Sequence, residues 1–449
     1  MATGLALAVF AVVVGAAAIV VWRRPSVALY LFLVGLAVHN IVMSLLWGAG
    51  VRGSSLELIS AWKEILLAVA VASVGLPALR ARRLPFRPEP VDWLAVAFAA
   101  LVLLYAVIPQ STLGGSAGGS AILHAVRHDL IPVVAYLLGR ALGITASQVR
   151  KVLWTLAGTA AAVAGFGLVE EYTVGIGWWH RSGAVGYFHR QLGFDYKGPG
   201  GMPENFAFNA GNNQLYRRLI STFVSPLAAG YMFVVALLAA PLRRWAVTLA
   251  ALTFAGLIWT ISRSALTGLV VGIVVLAIAR RQFWPLATVV VVVVVAAGFA
   301  FDREYKSVAP KTHFLPSEIA AQEKNAEKNP NAKNQLFDFN EPSWRSHLSS
   351  LKHGLGTVAH HPQGYGLGNA GATAERFGVQ LKAGESNYTE MGAELGILGA
   401  LLWIAWGLAV LVGLWRARAV RMTAAFAAIL ALAIQTDVIG DPWVAYVVW

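Results

Sequence analysis

Apolar stretches long enough to cross a bilayer recur along this 449-residue chain, from Leu5 to its last residues. A helix of roughly 20 apolar residues spans the hydrocarbon core, and lipid offers backbone amides no other partner, so such a chain folds as membrane helices. Only 13% of the residues are charged and 57% are hydrophobic, whereas soluble domains are about 25% charged. A soluble enzyme is excluded. The formal net charge of +13 would suit nucleic acid. The Lys and Arg residues fall between the apolar stretches, however, and no basic stripe interleaves with aromatics, so nucleic acid is not an expected partner. With no cysteine, disulfides and thiolate metal sites are absent. The first apolar run has no basic residue before it and no clear cleavage site, which predicts a membrane helix and not a leader.

The hydropathy pattern predicts an all-α polytopic fold of about twelve transmembrane helices, near 5–22, 26–47, 59–79, 91–108, 125–142, 150–170, 220–241, 245–261, 264–280, 284–301, 395–414 and 422–440. Basic clusters follow alternate helices: Arg23–Arg24, Arg80 to Arg83, Arg140 with Arg150 and Lys151, Arg243–Arg244, Arg280–Arg281, and Arg416 to Arg421. The positive-inside rule makes that side cytoplasmic. The 171–219 loop, the tight turn at Ser262-Arg263, the long 302–394 loop and both chain ends are then expected outside. Residues 1–301 read as ten membrane helices, 302–394 as an extracytoplasmic loop or lid, and 395–449 as the last two helices. Within the long loop, 316–327 reads as a short surface helix. A second begins after Glu341-Pro342, with Trp344, Leu348, Leu351 and Leu355 on one apolar face expected to lie on the membrane domain. No strand alternation and no internal repeat are evident.

Ionisable groups near a bilayer are costly, which makes each a candidate for function. Arg263 stands midway between two basic clusters, at the outer end of two short helices, with small Ser262, Ser264 and Gly268 beside it. It serves either a ligand or interfacial snorkelling. Arg217 and Arg218 open the next outward-starting helix; they read as interfacial anchors or as a fork for phosphate oxygens beside a helix N-terminus. A third cluster, "AHHPQGYGLGNAG" followed by "KAGESNYTEMGAELGILG", sets His360 and His361 beside Gly364, Gly366 and Gly368, with Glu385, Glu390 and Glu394 after them. The glycines permit close backbone approach, but no strand precedes them, so this is no dinucleotide fingerprint. The His and Glu spacing matches no zinc pattern, and no metal is expected. Arg127-His128-Asp129 and Lys63-Glu64 read as self-neutralising structural pairs, Trp178, Trp179, Tyr187 and Phe188 as sugar-stacking or belt aromatics, and Asp437 and Asp441 as reaching the outer surface.

The ordered segments "RRLISTFVSPLAAGYM", "ISRSALTGLVVG", "HHPQGYGLGNAG" and "ESNYTEMGAELGILGALLW" resemble the O-antigen ligase and polymerase superfamily over roughly residues 210–415. The resemblance implies an inverting, metal- and cofactor-independent glycosyltransferase in the bacterial inner membrane. Such an enzyme moves a glycan from a polyprenyl diphosphate donor to an acceptor hydroxyl on a glycan, lipid A core or protein at the outer face. Carried over by motif, Arg218 and Arg263 match the arginines that hold the diphosphate, with Arg217 beside them. His361 matches the histidine before the glycine stretch, and Arg345 a weaker loop arginine; His360 and Arg127 are secondary candidates. Ligases carry a histidine where this chain has Glu385. A carboxylate there can still accept a hydroxyl proton, which tilts the reading toward polymerase-like members, with Glu385 and then His361 as base. The competing class is a transporter or flippase for an anionic lipid-linked sugar; the polar residues gather at one face, whereas transporters place them at the midplane between symmetric halves.

Overall fold

A computed structural model describes residues 2–194, 202, 206–209, 215–241, 244–284, 286–291, 320, 324, 327, 342–384 and 386–449. The apolar runs form α1 (Ala2–Arg23), α2 (Val27–Ala37), α3 (His39–Gly48), α4 (Ser54–Ser60), α5 (Trp62–Arg80), α6 (Pro90–Val107), α7 (Gly119–Ala141), α8 (Ala146–Thr173) and the short α9 (Ile176–Arg181). A small antiparallel hairpin pairs β1 (Ala207–Asn209) with β2 (Leu215–Arg217). Then come α10 (Pro226–Ala239), α11 (Arg244–Trp259), α12 (Arg263–Arg280), α13 (Pro342–His360), α14 (Gly371–Arg376), α15 (Asn387–Arg416), α16 (Val420–Leu432) and α17 (Pro442–Val447). Among the described residues, α1, α5, α6, α7, α8, α12 and α15 are long and apolar enough to cross a membrane. The pair α2 and α3, bent by 54°, makes an eighth if taken as one broken span. Among the described residues the fold is that of an all-α membrane protein apart from the hairpin.

Helix ends follow local chemistry. Ser225 and Ser262 cap α10 and α12 by accepting from Ala228 N and Ala265 N at 3.3 and 3.2 Å, relieving amides that have no intrahelical partner. Pro226 takes the first turn of α10, where its missing N–H costs nothing. The break between α2 and α3 frees the Ala37 carbonyl, which accepts from Thr222 Oγ1 at 2.6 Å, while Asn40 Nδ2 donates to Phe223 O at 2.8 Å. At the arginine-rich end, Arg421 donates to Ala240 O at 2.6 Å. There too, buried Asp92 accepts from Arg140 Nε at 3.0 Å and Tyr136 Oη at 2.7 Å. Small residues let the central helices close up: Gly268 of α12 lies against Leu432 of α16, and Gly272 against Leu238 of α10. An aromatic cluster of Phe98, Tyr136, Trp403, Trp406 and Trp449 fills the seam among α6, α7 and α15.

Several boundaries differ from those expected. The 171–219 connection contains the β1–β2 hairpin, although the sequence shows no alternation; three-residue strands are too short to display one. The helix expected over 220–241 starts at Pro226, and the one expected over 422–440 ends at Leu432, then resumes at Pro442. The helix expected from 395 continues another that begins at Asn387, the two meeting at the non-helical Gly396; in the added turns Glu390 and Glu394 are buried with polar partners. Of the expected helix over 316–327 only residues 320, 324 and 327 are described, each helical, and 292–301 of the tenth span falls outside the described residues. In α13 the expected apolar face is not the packed one. Leu348 and Leu355 are exposed, and the helix meets α15 through Gly354 against Thr389 and Val358 against Gly392, where the glycines allow the closest approach.

Gly396 bends α15: its φ of 73° and ψ of −176° interrupt the helix. The next amide, Ile397 N, is released to donate to Pro362 O at 2.8 Å. A Cβ at Gly396 would meet that same carbonyl. Gly396→Ala is expected to lower the thermal midpoint in detergent by several degrees, since a positive φ and a backbone clash add to about 1–3 kcal/mol.

Candidate functional site

The end of the bundle away from the arginine clusters collects the polar residues. Arg217 and Arg218 close β2, and the chain then runs against the turn between α11 and α12. Leu219 N donates to Trp259 O at 2.9 Å, and Arg218 Nε donates to Thr260 O at 2.7 Å. Ile261 in that turn has a φ of 48°, an uncommon conformation for a β-branched residue, and Ser262 and Arg263 follow it at the start of α12. The hairpin thereby brings Arg218 to the turn that carries Arg263. Arg217 points elsewhere: its guanidinium pairs with Glu170, donates to Val174 O, and lies 5.5 Å over the Phe206 ring. Glu170 in turn accepts from Trp179 Nε1 at 2.6 Å. The two neighbouring arginines therefore divide, one neutralised inside the protein and the other directed to the turn.

The glycine-rich stretch wraps the bent head of α15. Gly368 N and Ala370 N donate to Glu394 Oε1 at 2.9 and 3.1 Å, and Tyr365 N and Gly366 N to the Ala393 and Glu394 carbonyls at 2.7 and 3.0 Å. At Gly371, with a φ of 58°, any Cβ would collide with the Glu390 carboxylate. Asn369 holds the stretch to the segment before α7: it accepts from Ser116 N at 2.8 Å and donates toward Gln110 Oε1 at 3.3 Å. His361 lies on the same flank, 2.8 Å from Leu113 O through Nε2 and stacked on Tyr365 with ring centroids 3.8 Å apart. His360 is exposed and bonded to Gly356 O.

Between these parts is a buried polar network built from three distant segments. His128 of α7 sits 2.8 Å from Asp129 Oδ1 through Nδ1 and 3.2 Å from Asp437 Oδ2 through Nε2. Asn387 donates to Asp437 at 2.5 Å and toward Glu390 at 3.4 Å, and accepts from Val438 N at 2.9 Å. The 433–441 segment is pinned by Asn387 N and Ser386 Oγ donating to Ala433 O and by Tyr231 Oη against Thr436 at 2.7 Å. Asp437 thus turns inward, contrary to the expectation that it reaches the surface, because His128 and Asn387 satisfy it there. His128, Glu390 and Asp437 each offer one ligand atom within 4.8 Å of the others, a spacing that could hold a cation. Both ring nitrogens of His128 already face carboxylates, so a metal would displace one of those contacts.

Glu385 lies outside the described residues, as does the side chain of Arg345; of the chain neighbours of Glu385, Ser386 bonds the 433–441 segment through Ala433 O. Arg127 is drawn to Glu64 at 3.6 Å and His124 at 3.3 Å, so the sequence grouping of Arg127 with Asp129 does not hold: Asp129 belongs to His128. The His128–Asp437 link joins residues 309 positions apart, and only the shared rarity of charges inside apolar helices hinted at it. His128→Ala would leave Asp129 and Asp437 buried without their common partner. It is expected to destabilise the fold by on the order of 3 kcal/mol, read as a fall in the detergent thermal midpoint, with Asp437→Asn milder because its amide oxygen can still accept from Asn387 and Gly440 N while its NH2 can donate to His128 Nε2.

A family model described as O-Antigen ligase matches residues 248–404, a span that holds Arg263, the glycine-rich stretch and the head of α15. Among curated proteins none matches the chain. The matched region covers about a third of the sequence and carries three of the four segments that resemble the family, all but the one around Arg217 and Arg218; the match supports a place in the O-antigen ligase and polymerase superfamily.

Proposed function

We propose that the protein transfers a glycan from a polyprenyl diphosphate donor to an acceptor hydroxyl, at the outer face of the bacterial cytoplasmic membrane. The family match supports a glycosyltransferase-type activity. The observation that carries the finer reading is the bond from Arg218 Nε to Thr260 O, which joins the arginine-bearing strand to the turn that bears Arg263. In a single displacement the acceptor oxygen attacks the anomeric carbon as the bond from that carbon to the phosphate oxygen breaks. The electron pair leaves with the diphosphate, and the configuration inverts. Negative charge grows on the leaving group, and guanidinium groups fixed in a low-dielectric setting stabilise it most at that moment. Arg218 and Arg263 take this role. Arg217, engaged by Glu170, supports the strand that presents Arg218.

The acceptor proton goes to Glu385, with His361 as the second candidate, since inverting transfer needs one positioned base. Ser386, the next residue in the chain, is anchored on Ala433 O. His361 borders the glycine-rich stretch, whose closure over the sugar would limit hydrolysis of the donor. Arg345 and His360 contribute to the acceptor side. The arginines supply the charge stabilisation that a divalent ion provides in other transferases, so the reaction needs neither metal nor cofactor.

The test is transfer by the purified protein from a polyprenyl-diphosphate-linked glycan to an acceptor, with chelator present. A ladder of products indicates polymerase activity, and a single addition to lipid A core or protein indicates ligase activity. Arg218→Ala and Arg263→Ala are each expected to lower turnover by about 100-fold or more, the scale of a lost transition-state donor, with membrane insertion retained. Full activity in both variants would remove the assignment. Glu385→Gln is expected to cost at least about 100-fold; a wild-type rate there would move the base to His361.

A further inference from the structure

Beside the glycine-rich stretch lies a group of cations that the transfer step does not use. Arg127 of α7 is half exposed, and its one carboxylate within ion-pair distance among the described residues is Glu64, at a loose 3.6 Å. Glu64 is shared with Lys63, also at 3.6 Å, and neither of its oxygens accepts a hydrogen bond. Arg376 closes α14 on the same flank. Its guanidinium lies 5.6 Å from the Phe377 ring, and that ring packs 5.5 Å from His124, the residue Arg127 touches at 3.3 Å. No carboxylate among the described residues pairs with Arg376. Glu57, the other acid nearby, is turned to Gln191 at 3.3 Å. Three cations thus share little negative charge on this flank.

The location adjoins the segment that presents Arg218. Gly193, within the Tyr187 to Phe194 run, abuts the Arg376 carbonyl. The same run packs with Phe206, just before β1, and with Ile220, two residues after Arg218. The cation group and the segment that presents Arg218 therefore border one buried aromatic cluster. Burial, and then the neighbouring Arg127, push the Arg376 guanidinium below its usual range, while Tyr187 and Glu57 pull the other way. An anion arriving between the two arginines would relieve that repulsion, and a planar carboxylate or phosphate matches the guanidinium fork.

We infer that Arg127 and Arg376 form a second anion subsite, separate from the diphosphate arginines, which takes a carboxylate or phosphate carried by a sugar of the glycan. The inference rests on the proposed glycan transfer and makes the enzyme selective for acidic glycans. A neutral sugar leaves the repulsion between the two arginines in place, and an acidic one offsets it. Glu64 holds Arg127 loosely enough to yield it, and Lys63 remains to neutralise Glu64.

The experiment measures equilibrium binding to the full chain in lipid nanodiscs, so it reads out even where no transfer occurs. The probes are a uronic-acid oligosaccharide as free acceptor and the same glycan on polyprenyl diphosphate, each with its carboxyl-reduced neutral counterpart. Wild type is expected to bind the acidic form of one probe about tenfold more tightly, the scale of a charged hydrogen bond. Arg376→Gln and Arg127→Gln are expected to erase that preference, whereas Arg181→Gln, which removes an equal charge from an exposed site, is expected to keep it. The probe that shows the effect identifies whether acceptor or donor bears the recognised acid. No acid preference in wild type, or a preference that survives in both arginine variants, overturns the subsite. Transfer assays on the same samples judge the catalytic reading separately: binding selectivity without turnover would retain the subsite and reject the reaction.

Discussion

A charge inside a membrane protein survives only when something else cancels it, and that constraint organises both ends of the helical bundle. Glu170 and Arg217, Asp92 and Arg140, and the set of Asp129, His128, Asp437 and Asn387 are each closed by partners from different helices. Each closure also fixes the relative position of the segments it joins. The 433–441 segment, the head of α15 and the first half of α7 are held together by one imidazole and one amide. Desolvation makes such contacts expensive to form alone and costly to break singly, which is why they occur as connected groups.

Against that rigid polar frame the glycine-rich stretch is a fitted piece. Its backbone amides supply hydrogen bonds to Glu394, and its glycines allow the Glu390 carboxylate, the Gln110 amide and the Ala121 backbone to approach without a side chain between them. The bend at Gly396 is the matching adjustment on the other side. A stretch bound in this way presents His361 and α14 at defined positions, although it has no regular secondary structure of its own.

Much of the helical architecture was legible because lipid enforces it: apolar length alone located α1, α5, α6, α7, α8 and α12 to within a few residues. What was not legible depends on distant partners. The early start of α15 required knowing that Glu390 and Glu394 are satisfied. The break after Leu432 required knowing that Asp437 turns inward. The three-residue strands carry no periodic signal. Among the candidate site residues, Arg218 and the Arg263 turn were legible from small neighbours and isolated charge, and the structure brings them to adjacent backbone. The His128 network was hidden because each member, read singly, had a nearer local partner; Asp129 beside His128 looked sufficient until Asp437 arrived from the far end of the chain.

The broken span offers a different kind of consequence. Where α2 gives way to α3, the stranded Ala37 carbonyl and the Asn40 amide are taken up by residues 222 and 223, four and five positions beyond Arg218. The bend is thus a tie rod between the first helical hairpin and the segment that aims a guanidinium. Straightening or rotating α3, by lipid thickness or by a partner on its outer flank, would pull on that segment directly, with no need for any contact at the reacting groups themselves.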